Sequence, residues 1–391
     1  MRLLVWWFGS LMLVAGSPAA AGGAVLNTLK EESSVNAAEL TIEEARLERL
    51  TGTNIPYDVL TNRVGRALSA PDPESLTDLG DRLWQTAVRG VQSDEVWDDR
   101  ALYWARLKFK AELRGVADET ALAALERASR GMTDIAFPEA DQPAMRVIVT
   151  GFDPFHLDRQ IDQSNPSGLA ALSLDGRTLE TAKGPANVQA AIFPVRFADF
   201  DAGMVETFIE PLLEKGVDLV VTISMGRDGF DLERFPGRRR SSAVPDNLNV
   251  LTGASPAEPL IPELAGADLA GPEFLEFTLP AEAMVAVAGD FPVRDNRHVA
   301  TLAQGDMEAS GIEALAGQVA VRGSGGGYLS NEIAYRTLRI NRHRIPMGHV
   351  HTPRLSGFDP VFERKVVAQI GAMLIAAVEA LPDGRRVAPH L

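Results

Sequence analysis

The chain has 391 residues, 46% of them apolar and 23% charged, with 38 Lys and Arg against 53 Asp and Glu. That length exceeds one ordinary core and implies two globular units plus processing segments. A formal charge of -15 disfavours nucleic acid and anionic lipid as partners, and the absence of cysteine excludes disulfides, thiolate metal sites and a thiol nucleophile.

Arg2, the apolar run from Leu3 to Val14 and the small residues Ala19-Ala20-Ala21 read as a secretory signal over 1–22, cleaved near Ala21. Export to the periplasm or the medium is therefore expected. The apolar run is shorter than the ~20 residues of a spanning helix, and no membrane attachment is expected after cleavage. Residues 23–39 read as a flexible segment.

Residues 40–137 carry helical periodicity. Thr41-Ile42-Glu43-Glu44 resembles a capping start, Leu76 to Val91 places Leu79, Leu83 and Ala87 at helical spacing, and Trp97 to Leu113 does so with Leu102, Trp104 and Leu107. Glu119 to Ala128 is rich in Ala and Leu. An all-α N-terminal region is predicted, with Trp84, Trp97 and Trp104 in its core. Pro138 to Pro143 reads as a linker over 138–143, after which 144–391 is expected to fold as a domain of its own.

From Ala144 the pattern becomes an α/β alternation, in which Arg146–Thr150, Val217–Ile223 and Gln318–Val321 read as buried strands. Met204–Lys215 and Val361–Leu381 read as crossover helices of a mostly parallel sheet, giving a three-layer sandwich. Functional groups in such sheets gather on loops at the carboxyl ends of strands. Three loops qualify: Thr150-Gly151-Phe152-Asp153-Pro154-Phe155 with Asn165-Pro166-Ser167 downstream, Gly226-Arg227 through Glu233-Arg234, and Gly325-Gly326-Gly327-Tyr328-Leu329-Ser330-Asn331-Glu332. Gly348-His349-Val350-His351-Thr352-Pro353 follows on the next strand. The basic run Arg238-Arg239-Arg240 beside Arg234 reads as a solvated loop.

From Ala144 to Leu381 these motifs, together with Val244-Pro245-Asp246-Asn247, Gly271-Pro272 and Leu279-Pro280, resemble the pyroglutamyl peptidase I (pyrrolidone-carboxylate peptidase) family. The resemblance implies that family's three-layer fold and removal of an N-terminal 5-oxoproline from peptides by a Cys-His-acid triad. It puts Glu233 at the acidic position, His351 at the histidine position and Ser330 where the family has cysteine. It also implies substrate-binding roles for Phe152, Phe155, Tyr328, Arg227 and Asn165. Glu332 replaces the histidine that usually follows the nucleophile's Asn, and Ile223-Ser224-Met225-Gly226-Arg227 departs from the family's Gly-rich loop. The helical region has no counterpart in the basic family domain.

Phe152 and Phe155 are spaced to sandwich a flat lactam, and the three glycines before Ser330 let backbone N–H groups approach an oxyanion. His349 and His351 alternate on a strand and so share a face, but no third ligand has recognisable spacing, so no metal or cofactor is expected. A serine must be deprotonated as it attacks, which a Ser-His-Glu set can do. The expected partner is a peptide with N-terminal pyroglutamate or a related lactam, and a homo-oligomer is compatible with the sequence. The alternative is an inactive exported homologue that binds such lactam ends or a protein partner.

Overall fold

The computed structural model describes residues 40–65, 71–137, 144–341 and 345–382. The readings of a signal over 1–22, a flexible segment over 23–39 and a linker over 138–143 lie outside the described residues.

The chain enters through a short helix, α1 (Ile42–Ala45), whose capping box joins Thr41 and Glu44, and a 3-10 turn over Arg46–Leu50. Four longer helices follow: α2 (Tyr57–Val64), α3 (Pro73–Gln92), α4 (Asp99–Leu113) and α5 (Glu119–Ala128). Asp72, Asp98 and Asp118 cap the last three through their side chains, satisfying first-turn N–H groups that have no intrahelical acceptor. Trp84 and Trp104 are fully buried, and Trp97 is half-buried against the core.

The α/β part runs β1 (Met145–Phe152), α6 (Pro166–Leu174), β2 (Thr178–Thr181), β3 (Gly184–Phe193), α7 (Phe197–Asp201), α8 (Met204–Glu214), β4 (Leu219–Met225) and β5 (Phe230–Glu233). It continues through β6 (Glu263–Leu264), β7 (Ala267–Asp268), α9 (Ala281–Val285), β8 (Val293–Asn296), β9 (His298–Thr301), β10 (Gly305–Glu308) and β11 (Ala320–Arg322). It closes with α10 (Leu329–Arg339), β12 (Met347–Thr352) and α11 (Pro360–Glu379). Seven strands form one sheet in the order β2-β3-β1-β4-β12-β5-β8. The pairs β1/β3, β1/β4, β4/β12 and β5/β8 are parallel, while β2/β3 and β12/β5 are antiparallel. Helices α6 and α11 form one group against the sheet and α8 and α10 another, which gives the three-layer α/β sandwich.

One expected strand belongs elsewhere. Gln318–Val321 was predicted for the parallel sheet, but β11 pairs antiparallel with β9 in a separate three-stranded sheet, β10-β9-β11. Its run of apolar residues serves a small satellite core with Phe235, Phe274, Val299 and Leu315. A short apolar run states burial and not which sheet receives it.

The helical region and the α/β part share a single hydrophobic core, in which Leu79, Leu83 and Trp84 of α3 join Val147 and Val149 of β1 and Leu169 of α6. The described residues accordingly form one compact unit. Buried hydrogen bonds reinforce the join: Arg106 Nη1 and Arg130 Nη2 donate to Asp153 at 3.1 and 2.7 Å, and Trp84 Nε1 donates to Asp175 at 2.9 Å.

Candidate active site

The carboxyl ends of β4 and β12, with β5 running antiparallel beside β12, bring the second loop and the histidine strand together. His351, in register with Ser224 on β4 and Asp231 on β5, is almost fully buried, and Glu233 at the end of β5 has no exposed surface. His351 Nδ1 makes a short hydrogen bond with Glu233 Oε1. The Glu233 Oε2 atom accepts from Asn296 Nδ2 at 2.8 Å, and the same amide donates to the Ser324 carbonyl at 3.0 Å. Burial pushes the Glu233 carboxyl above its usual range, while the His351 ring and the Asn296 amide pull it back. With Nδ1 spent on a carboxylate, Nε2 is the nitrogen left to take a proton.

An open cavity of about 230 Å³ adjoins this pair, lined by His351, Gly226, Arg227, His298, Arg322 and the Gly323–Gly326 turn. Two glycines allow that shape. Gly326 has φ +92°, a left-handed conformation that favours glycine, and a Cβ on Gly226 would stand 2.5 Å from His351 Cβ.

The turn feeds α10, whose N-cap Tyr328 provides no side-chain cap, so first-turn N–H groups lack intrahelical acceptors. Ser330 is the second residue of that helix and is half-buried. Its hydroxyl donates to the Gly325 carbonyl at 3.2 Å and makes no hydrogen bond with His351. Two of the three expected catalytic residues are thus in contact, whereas Ser330 is not among the residues lining their cavity and reaches it only through its hydrogen bond to Gly325, which is.

The expected substrate-binding residues divide. Arg227 lines the cavity with a 62% exposed side chain, held only loosely, 3.8 Å from Asp231. Phe152 is buried in an aromatic cluster with Phe193 and Phe200, and Phe155 is half-buried over His156. Neither phenylalanine lines the His351 cavity. Asn165 caps α6, accepting from Ser167 and donating to the Asp153 carbonyl, so its groups are spent on the loop itself. Tyr328 donates to the Pro245 carbonyl at 2.9 Å and packs edge-on against Phe197.

Other positions prove structural. Glu332 pairs with Arg240 and Arg336, a buried ion cluster that also takes in Asp201 and Glu206. The basic run is consumed in the same way: Arg238 and Arg239 both bind Glu273, and Arg234 binds Asp295 and Glu276. These arginines are anchors, where a solvated loop was expected. Among the described residues no group of three or more His, Cys, Asp or Glu is arranged to hold a metal ion, and no helix is long and apolar enough to cross a membrane. Sequence reasoning missed Asn296, which lies 63 residues from Glu233 with no motif around it.

Comparison with known proteins gives a relative by sequence and a likeness by fold. Residues 146–271 match the family described as PA0049, C-terminal domain, and residues 27–133 match the PA0049 N-terminal domain. Both carry one name. An uncharacterized protein PA0049 of Pseudomonas aeruginosa is 35% identical over 216 residues, 47% of this chain and 39% of that protein. The chain therefore spans well under half the length of the curated relative it matches. Among solved structures, a mutant pyrrolidone carboxyl peptidase from Pyrococcus furiosus aligns at 19% identity, covering 61% of this chain and all of that one, with a TM-score of 0.42. A structure from the study of the same enzyme and its cys-free mutant aligns at 18% identity, over 60% of this chain and 99% of that one, with a TM-score of 0.42.

Proposed function

We propose that the protein is an exported serine hydrolase of the pyroglutamyl peptidase type, removing N-terminal 5-oxoproline from peptides. The observation that carries this reading is the Glu233–His351 hydrogen bond beside the glycine turn that leads to Ser330. In the proposed reaction the Ser330 hydroxyl leaves Gly325 and attacks the pyroglutamyl carbonyl carbon, while its proton passes to His351 Nε2. First-turn N–H groups of α10 receive the oxyanion. The tetrahedral intermediate then collapses with cleavage of the C–N bond, and His351 hands the proton to the departing amine. Water repeats the sequence and releases free pyroglutamate. Glu233 holds the imidazole in its Nδ1–H tautomer and stabilises the imidazolium.

A second reading is a binding module for lactam ends, favoured by the Ser330 hydrogen bond to Gly325 in place of His351. Hydrolysis of a fluorogenic pyroglutamyl amide by the full chain, with His351→Ala beside it, separates the two. The hydrolase reading expects turnover that falls at least about a thousandfold in the variant. Saturable binding without turnover in the unaltered chain selects the binding module.

A further inference from the structure

His349 takes no part in the reaction above, yet it is fully buried two residues before His351 on the same strand. Its ring lies perpendicular to that of His351, with centroids 5.0 Å apart and an interplanar angle of 89°. Both of its nitrogens are engaged with β4: Nδ1 with Thr222 Oγ1 at 2.8 Å and Nε2 with Ser224 Oγ at 2.8 Å. The tautomer follows from the protons available. The Thr222 hydroxyl donates its one proton to the Gly348 carbonyl at 3.2 Å, so it accepts from His349 Nδ1–H. Nε2 is then the acceptor and receives the Ser224 proton. Ser224 in turn is the residue in register with His351 on the neighbouring strand.

A positive charge on this ring would have no counter-ion among its contacts and would sit beside an imidazole that must itself become charged during the reaction. Burial, and then the neighbouring His351, push the His349 imidazole well below the usual histidine range. The two strands therefore hold a neutral, immobile ring against one edge or face of His351. Glu233 fixes His351 through a single nitrogen, and one hydrogen bond does not by itself set the orientation of the ring about it. His349 supplies the missing restraint.

We propose that His349 is a positioning residue for His351, a neutral imidazole fixed as its Nδ1–H tautomer by Thr222 and Ser224, which sets the plane of the His351 ring and with it the direction of Nε2. The catalytic part of this statement rests on the hydrolase reading, whereas the geometric part does not.

The test uses the full chain with 15N-labelled histidine, recording ring nitrogen shifts and the His351 Nδ1 proton across about pH 5 to about pH 9. Ser224→Ala, Thr222→Val and His349→Phe are compared with the unaltered protein, and His349→Gln and His351→Gln assign the signals. The expected spectrum has His349 protonated on Nδ1 only and not titrating in that range. In Ser224→Ala and Thr222→Val, which keep the ring, the His351 Nδ1 proton signal shifts or broadens. The rate on the pyroglutamyl amide then falls about tenfold in kcat with little change in KM, and the acid limb of its pH profile moves. A His349 that carries its proton on Nε2, or that titrates within the range, overturns the proposal. So does a His351 proton signal that is unchanged in all three variants. Absence of turnover in the unaltered chain, with the His351 signal responding as stated, sinks the hydrolase reading and leaves the positioning role standing.

Discussion

Asn296 gives its side-chain amide to Glu233 at 2.8 Å and, at 3.0 Å, to the carbonyl of Ser324. One side chain thereby ties the acid of the site to the glycine turn that shapes its cavity. Removing it leaves a buried carboxylate oxygen without a donor. Asn296→Ala is expected to destabilise the fold by about 1–3 kcal/mol and to lower activity on a pyroglutamyl amide by about tenfold or more. Urea unfolding and initial rates check this together, and unchanged values in both would remove Asn296 from the site.

Gly226 stands where no side chain fits. The Cβ of an alanine would meet His351 Cβ at 2.5 Å and Cγ at 2.8 Å, so the imidazole must move. Gly226→Ala is expected to cost about 1–3 kcal/mol in stability and, under the hydrolase proposal, about a hundredfold in rate, because a small displacement of the proposed base is enough. A variant with normal kinetics would show that the His351 position seen here is not the reactive one.

A second pair of buried groups predicts pH dependence far from the cavity. Glu363 on α11 and Asp99 on α4 are both buried, and the Oε2 atom of the first and Oδ1 of the second have no hydrogen-bond partner among the described residues. Burial pushes the Glu363 carboxyl up to about 8, and Asp99 is raised in the same direction by burial and by Glu363. Since the folded protein holds its proton more tightly than the unfolded chain does, stability from this group is full below about 4.5 and is lost as pH rises towards about 8. Glu363→Gln is expected to flatten that decline and to make the protein more stable at about pH 8 than the unaltered chain, read by denaturant titration at several pH values. Identical slopes in the two proteins would contradict it.

The α/β architecture was legible because its signals are local. Arg146–Thr150 and Val217–Ile223 are apolar β-branched runs followed by glycine or small residues, and the structure has strands at Met145–Phe152 and Leu219–Met225. Helix starts were equally readable, since Thr41 caps its own helix through Glu44. Motif position singled out Glu233 and His351, and their side chains are in contact. What escaped depends on long-range packing. Nothing near Phe152 announces that Phe193 and Phe200 will enclose it, and nothing near Asp153 announces two buried arginines from the helical region. The shared core likewise lies between segments tens of residues apart, and a proline-bracketed stretch looks the same whether or not the domains it joins are separate.

That shared core carries its own prediction. Asp153 is the common acceptor of Arg106 and Arg130, all three fully buried. Asp153→Asn leaves Arg106 without its paired carboxylate and Arg130 with Glu126 alone, and is expected to cost about 3–5 kcal/mol. A chain of residues 144–391 alone exposes the apolar face that α3 covers and is expected to lose cooperative unfolding. Calorimetry of both proteins decides the point, and a sharp transition in the truncated chain near that of the full protein would show that the helical region is dispensable for folding.

The central claim is that Ser330 is a nucleophile served by His351, and turnover of a pyroglutamyl amide by the unaltered chain, Ser330→Ala and Ser330→Cys, with binding measured on each, tests it most directly. The hydrolase reading predicts turnover in the unaltered chain, its loss by at least about a thousandfold in Ser330→Ala, and binding retained in all three. Turnover that survives Ser330→Ala would contradict it, and an inactive unaltered chain that gains activity only as Ser330→Cys would assign the protein to lactam binding instead.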